Sequence, residues 1–235
     1  MSDFLLIHGS AHGAWCWDHL IPHLETAGHT ARAIDLPSHG QDTTPAKDVT
    51  LAVYAEAICA AMQEKTVLVG HSMAGYPITL AADMAPRLVD KLIYLCAHIP
   101  EPGKSIADMR MLADTQPLAT AMIPSADKVT VTIDPAQAHE KFYHDVDQDL
   151  SDWAIKHLCP QAILPQTTPY PDMSPQMHDR YFIRCMDDRA IPPDYQVART
   201  ADWPADRVIE MQTSHSPFLS APAALAAHLI HIAES

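Results

Sequence analysis

The run Thr66-Val67-Leu68-Val69-Gly70-His71-Ser72-Met73-Ala74-Gly75 constrains this chain more than any other segment. Four β-branched or apolar residues lead at once into a serine flanked by glycines. A helix-period stretch, Tyr76 to Met84, follows. A buried parallel strand reads this way when it turns sharply into a helix with a serine at the apex. Such a turn lifts the hydroxyl out of the sheet and aims a helix N-terminus at any negative charge forming beside it. A serine can also be an ordinary helix N-cap. The strand before Ser72 and the glycines around it favour a nucleophile.

The flanking pattern alternates strand and helix. Strands are expected at Phe4–His8, His29–Asp35, Thr66–Gly70, Lys91–Ala97, Tyr181–Cys185 and Arg207–Met211. Helices are expected at Trp15–Ala27, Leu51–Gln63, Tyr76–Met84, Pro193–Asp202 and Ala221–Ala233, the last opened by Pro222. Alternation of this kind predicts an α/β fold, a mainly parallel sheet with helices on both faces. At 235 residues the chain suits one domain, 1–235, with room for an insertion. The rhythm breaks between Pro100 and His178, a stretch that holds ten prolines including Pro175. Within it only Lys128–Ile133 reads as a strand and Leu150–His157 as a helix. It is too long for a structureless loop, so residues 100–178 are expected to form a cap over the carboxyl edge of the sheet. Met109, Met111, Met122, Trp153 and Tyr170 either line a pocket there or pack the cap onto the core.

A net charge of −14 argues against nucleic acid and anionic membrane surfaces as partners. It makes a neutral or weakly polar small molecule the natural ligand. No apolar run reaches the length of a membrane span, and Met1-Ser2-Asp3-Phe4 lacks the basic and apolar regions of a signal peptide, so a cytoplasmic location is expected. The five cysteines are widely spaced with no C-x-x-C, and Cys96 and Cys185 read as core thiols. His8 and His12, like His19 and His23, sit at a spacing that can bind zinc on a helix. The first pair falls in a glycine-containing loop and the second spans Pro22, so no metal and no cofactor are expected. An apolar edge on the cap would suit a homodimer.

Serine needs a base, and the base an orienting group. In open α/β sheets these lie on loops after strand carboxyl ends. His215 follows the Arg207–Met211 strand, and Asp187 and Asp188 follow Tyr181–Cys185. The chain order is then Ser, Asp, His. An oxyanion hole takes two backbone N–H groups. Met73 supplies one, and Ser10, after the tight turn at Gly9, the other.

These residues carry a resemblance. His8-Gly9-Ser10-Ala11-His12-Gly13-Ala14-Trp15-Cys16-Trp17, Asp35-Leu36-Pro37-Ser38-His39-Gly40, Gly70-His71-Ser72-Met73-Ala74-Gly75 and Asp188-Arg189-Ala190-Ile191-Pro192 look like the α/β-hydrolase superfamily. The likeness is greatest to the branch of plant methyl-ester esterases, plant hydroxynitrile lyases and related small bacterial esterases. It runs nearly end to end and is weakest in the cap. It implies Ser72 as nucleophile, His215 as base, Asp188 rather than Asp187 as the acid, and the Ser10 and Met73 amides as the oxyanion hole. It also implies a small-molecule ester as substrate. Two departures stand out. Ala74 replaces the second glycine of G-x-S-x-G, with Gly75 one place later. The lyases of this branch carry a threonine and a lysine where this chain has Gly9 and Ser216, which favours a carboxylesterase. A hydroxynitrile or retro-aldol lyase, and a ligand-binding protein that barely turns over, are the other readings.

Overall fold

The computed structural model describes residues 1–63, 65–172 and 178–235. Its strands are β1 (Asp3–Ile7), β2 (Thr30–Ile34), β3 (Thr66–His71), β4 (Val89–Leu95), β5 (Met122–Pro124), β6 (Thr130–Ile133), β7 (Gln161–Ala162), β8 (Arg180–Cys185) and β9 (Val208–Met211). Six of them form one sheet in the order β2-β1-β3-β4-β8-β9, and every pairing in it is parallel.

Strand side chains alternate between the two faces, and this splits the core. Phe4, Leu6, Val67, Val69, Ile93 and Leu95 point to one side, where they meet Leu225, Leu229 and Ile232 of the closing helix Pro222–Glu234. Leu5, Ile7, Leu68, Leu92, Tyr94 and Phe182 point to the other. There they meet Tyr54 and Ile58 of helix Leu51–Ala61 and Ile78 and Ala81 of helix Gly75–Met84. Both faces are covered, so the strands read as continuous apolar runs rather than alternating ones.

Three expected helices are shorter in the structure, Leu51–Gln63 by its last two residues. Trp15–Ala27 becomes a 3₁₀ turn at Ala14–Trp17 and a separate helix at Ile21–Thr26. Pro22 is the reason. Its ring removes a donor and would clash with the carbonyl one turn back, so it is tolerated only where a helix starts. Pro193–Asp202 ends at Arg199.

The strand order reverses between β1 and β3, with β2 on one side and the later strands on the other. Ligands bind at such a switch point, beyond the strand carboxyl ends. Ile7 pairs with Gly70 in register, so the loop after β1 and the turn after β3 leave the sheet side by side. Non-glycine residues in the left-handed region gather at this edge. Ala11 (φ 62°), Ser38 (φ 70°), Ser72 (φ 57°) and Cys96 (φ 35°) follow β1, β2, β3 and β4. Each such conformation costs about 1–2 kcal/mol and persists only where the surroundings over-determine it.

Between β4 and β8 the chain forms a small antiparallel sheet, β5-β6-β7, with helices Ile106–Arg110, Gln148–His157 and Leu164–Thr167. Helix Pro135–Ala138 runs on into a π-turn at His139–Tyr143. This segment touches the loop after β1 directly. Cys159 N–H donates to the Ala11 carbonyl at 2.9 Å, and the Gln161 side chain accepts from Ala11 N–H at 3.3 Å. Pro175 lies outside the described residues. Among the described residues no helix is long and apolar enough to cross a membrane.

Candidate active site

Ser72 opens the turn that leads into helix Gly75–Met84. It is partly exposed within an otherwise buried run from Thr66 to Ile78. Two close approaches hold the turn. A Cβ on Gly9 would lie 2.9 Å from the Ser72 Cβ and 2.6 Å from His71 Nδ1. A Cβ on Gly75 would lie 2.1 Å from the His98 carbonyl oxygen. Ala74 is fully buried in the apolar core. The close backbone approach on this side of the turn falls at position 75, so the glycine is needed there and alanine is accommodated at 74. The Ser72 carbonyl accepts from His98 N–H at 3.1 Å, which ties the turn to the chain leaving β4.

His215 Nδ1 lies 2.7 Å from Asp188 Oδ2, and both side chains are buried. Asp188 Oδ1 accepts from the N–H groups of Ala190 (2.7 Å) and Ile191 (2.8 Å). Asp187 points the other way. Its side chain is 59% exposed and pairs with His144, so Asp188 is the carboxylate that meets His215. The His215 carbonyl accepts from His71 Nε2 at 2.9 Å. Its loop is also anchored to the segment before β8, since Ser214 N–H donates to Asp145 at 2.8 Å and Ser214 Oγ to the Phe142 carbonyl at 3.0 Å.

Ser10, Ser72, Met73 and His215 line one cavity that opens to solvent. His12, His98, Arg110, Thr115, Gln116, Leu118, Phe142 and Tyr195 complete much of its wall. The cavity therefore joins every residue singled out in the sequence except Asp188, which stands behind His215. Of the residues weighed as pocket or packing, none lines this cavity. Met109 is buried in the core, Met111 is 73% exposed, and Trp153 packs edge-on against Trp15. Tyr170 donates to Asp83 at 2.8 Å, and Met122 offers its sulfur to Arg110.

The first N–H groups of a helix have no partner within it, and Met73 stands at such a position and lines the cavity. A family model described as the alpha/beta hydrolase family matches residues 4–228. The chain belongs to this family. Methylesterase 7 of Arabidopsis thaliana is 28% identical over 98% of this chain and 96% of its own length. Methylesterase 2 of the same plant is 29% identical over 99% and 96%. Among solved structures, a pyrethroid hydrolase from Sphingobium faniae JZ-2 superposes with a TM-score of 0.86 at 25% identity, covering 100% of this chain and 98% of that one.

Within this alpha/beta hydrolase, several site residues escaped the sequence reading. His8 and His12, weighed there as a metal pair, use their rings on the backbone. His8 Nε2 accepts from Leu36 N–H at 3.0 Å, so its Nδ1–H donates to the Gly9 carbonyl at 2.8 Å. His12 Nδ1 lies 2.8 Å from the Ser10 carbonyl and its Nε2 2.7 Å from the Tyr143 hydroxyl. Burial lowers the pKa of His12 to about 4 and that of His8 well below the usual imidazole value. Both are neutral at pH 7, and both brace the loop that carries the Ser10 amide. His71 and His98 are lowered in the same way by burial, helped at His71 by the charge of His215 and at His98 by that of Arg110.

Two glutamines complete the support. Gln196 Nε2 donates to Asp188 Oδ2 at 3.0 Å and to the Ile191 carbonyl at 2.8 Å, while its Oε1 accepts from Cys185 N–H. Gln166 Nε2 donates to Ser10 Oγ at 2.8 Å and lies 4.0 Å from the Met73 sulfur. Gln196 sits at helical position four of Pro193–Arg199, and its burial is a signal available only from the fold.

Proposed function

We propose that this alpha/beta hydrolase is a serine carboxylesterase that hydrolyses a small-molecule ester through an acyl-enzyme. One observation carries the reading. The buried His215–Asp188 pair, 2.7 Å apart, backs the same cavity into which the strained Ser72 turn opens. Named relatives among plant methylesterases and a pyrethroid hydrolase support it.

In this reading His215 takes the Ser72 proton as Oγ attacks the ester carbon. Asp188 holds the imidazole in the Nδ1–H tautomer and stabilises the cation that forms. The Ser10 and Met73 amides receive the developing oxyanion. His215 then gives its proton to the departing alkoxide, and the alcohol leaves. Water enters, gives a proton to His215 and attacks the acyl-enzyme, which releases the acid and restores Ser72. The insertion 100–178 serves as a cap within a single domain, 1–235, supplying Arg110, Gln116, Leu118 and Phe142 to the cavity. The tight space at Gly9 also supports ester hydrolysis over a lyase. Any side chain there would meet Ser72 Cβ and His71 at under 3 Å, so this backbone leaves no room for the threonine associated with the lyases.

A fluorophosphonate should add once, at Ser72, and abolish turnover of p-nitrophenyl esters. Ser72→Ala should lower kcat by about 10⁴-fold or more. Full activity in that variant overturns the proposal.

A further inference from the structure

The arginines of this chain fall into two groups and an exception. Arg32, Arg184, Arg189, Arg199 and Arg207 pair with Asp3, Glu210, Glu140, Glu101 and Asp179. Arg180 lies over the Trp203 ring, and Arg87 is exposed to water. Arg110 does neither. It is partly buried, it lines the cavity that holds Ser72 and His215, and among the described residues its guanidinium has one recorded contact, to the Met122 sulfur at 3.5 Å.

Thioether sulfur is a weak acceptor, and a guanidinium presents five donors in a planar fork. Arg110 ends helix Ile106–Arg110, where a cation suits the helix dipole by about 0.3–1 kcal/mol. That accounts for a basic residue at this position and not for turning its head into the cavity that holds Ser72 and His215. Burial lowers its pKa to about 10, so it remains a cation at neutral pH. Among the described residues no aspartate or glutamate lines the cavity. Three of the lining histidines, His12, His71 and His98, are held neutral by burial. The wall therefore carries an unneutralised positive charge close to His98, which itself is bonded to the Ser72 carbonyl through its N–H.

We propose that the substrate is an ester that also carries a carboxylate, and that Arg110 is the residue that binds it. The inference rests on the esterase reading and adds the class of ester. A planar carboxylate matches the guanidinium fork with two parallel N–H···O bonds. It supplies the counter-charge that the described residues lining the cavity do not. The net charge of −14 acts at long range and is screened by salt, whereas a charge pair inside the cavity is screened much less.

The test compares ester pairs that differ only in that charge. On the acyl side, mono-p-nitrophenyl glutarate is set against its methyl ester. On the alcohol side, 4-acetoxybenzoate is set against 4-acetoxybenzamide. In one of the two pairs the wild-type protein should favour the anion by about tenfold or more in kcat/KM, mainly through KM. Arg110→Gln should collapse that ratio, and Arg110→Lys should restore part of it. If Arg110→Gln does not fold, a ratio in Arg110→Lys that is smaller than in the wild type carries the comparison. Preference for the neutral ester in both wild-type pairs, or an unchanged ratio in the folded variants, overturns the assignment of Arg110. If no ester of either kind is turned over and the fluorophosphonate does not label Ser72, the esterase reading falls and this one with it.

Discussion

The amide nitrogen of Gln196 stands 3.0 Å from Asp188 Oδ2, the same oxygen that meets His215 Nδ1 at 2.7 Å. A neutral donor on that same oxygen fixes its position against the imidazole without adding a charge. Gln196→Leu removes that donor and strands the Cys185 N–H, which now bonds to Gln196 Oε1. We expect a loss of about 1–3 kcal/mol in stability and a fall of tenfold or more in kcat. Urea unfolding and steady-state kinetics on one preparation check both. A folded variant with wild-type kcat contradicts the assignment.

Gln166, on helix Leu164–Thr167 between β4 and β8, donates to the Ser10 hydroxyl. Oxyanion donors act mainly on the transition state, so disturbing their loop should change kcat more than KM. Gln166→Leu is expected to lower kcat by about tenfold, the scale of a lost positioning bond, with KM nearly unchanged. Equal falls in thermal stability without any change in kcat would assign Gln166 to packing alone.

The glycine after the turn should tolerate no side chain. Gly75→Ala would drive its Cβ into the His98 carbonyl, part of the backbone whose N–H holds the Ser72 carbonyl. Overpacking of this kind costs about 1–3 kcal/mol. Ala74→Gly only adds backbone freedom, at a cost of about 0.5–1 kcal/mol. Calorimetric melts of the two variants should therefore rank Gly75→Ala as the less stable protein, and the reverse order would show that the approach relaxes freely.

Acid should weaken the fold before its carboxylates protonate. His8, His12, His71 and His98 are all held below the ordinary imidazole value, first by burial. In the unfolded chain they take up protons near pH 6.5. The folded protein leaves His12 neutral down to about pH 4. Between those limits the unfolded state binds more protons, so stability is full above about pH 6.5 and declines as the pH falls through the window. His12 alone corresponds to on the order of 3 kcal/mol. The melting temperature should drop steadily from pH 7 to pH 4.5. A flat profile over that range would mean that the rings are hydrated in the folded state.

Much of this protein was legible in the chain because local patterns encode local outcomes. Continuous apolar runs between helical periods predicted a parallel sheet covered on both faces. The glycine-flanked serine after one such run predicted the strained turn at Ser72. Loops after the last two long strands narrowed the partners to His215 and one of two aspartates. Tertiary structure decided what no period carries. Asp187 and Asp188 are neighbours in sequence; the resemblance implied Asp188, and the fold supplies the reason, since Asp188 is buried against His215 while Asp187 is exposed beside His144. Gln166 and Ser10 are 156 positions apart, and that Arg110 meets no carboxylate among the described residues depends on which acidic residues the fold brings near it. A contact between distant residues leaves no spacing in the sequence, because it is made by packing two elements whose own patterns are satisfied independently.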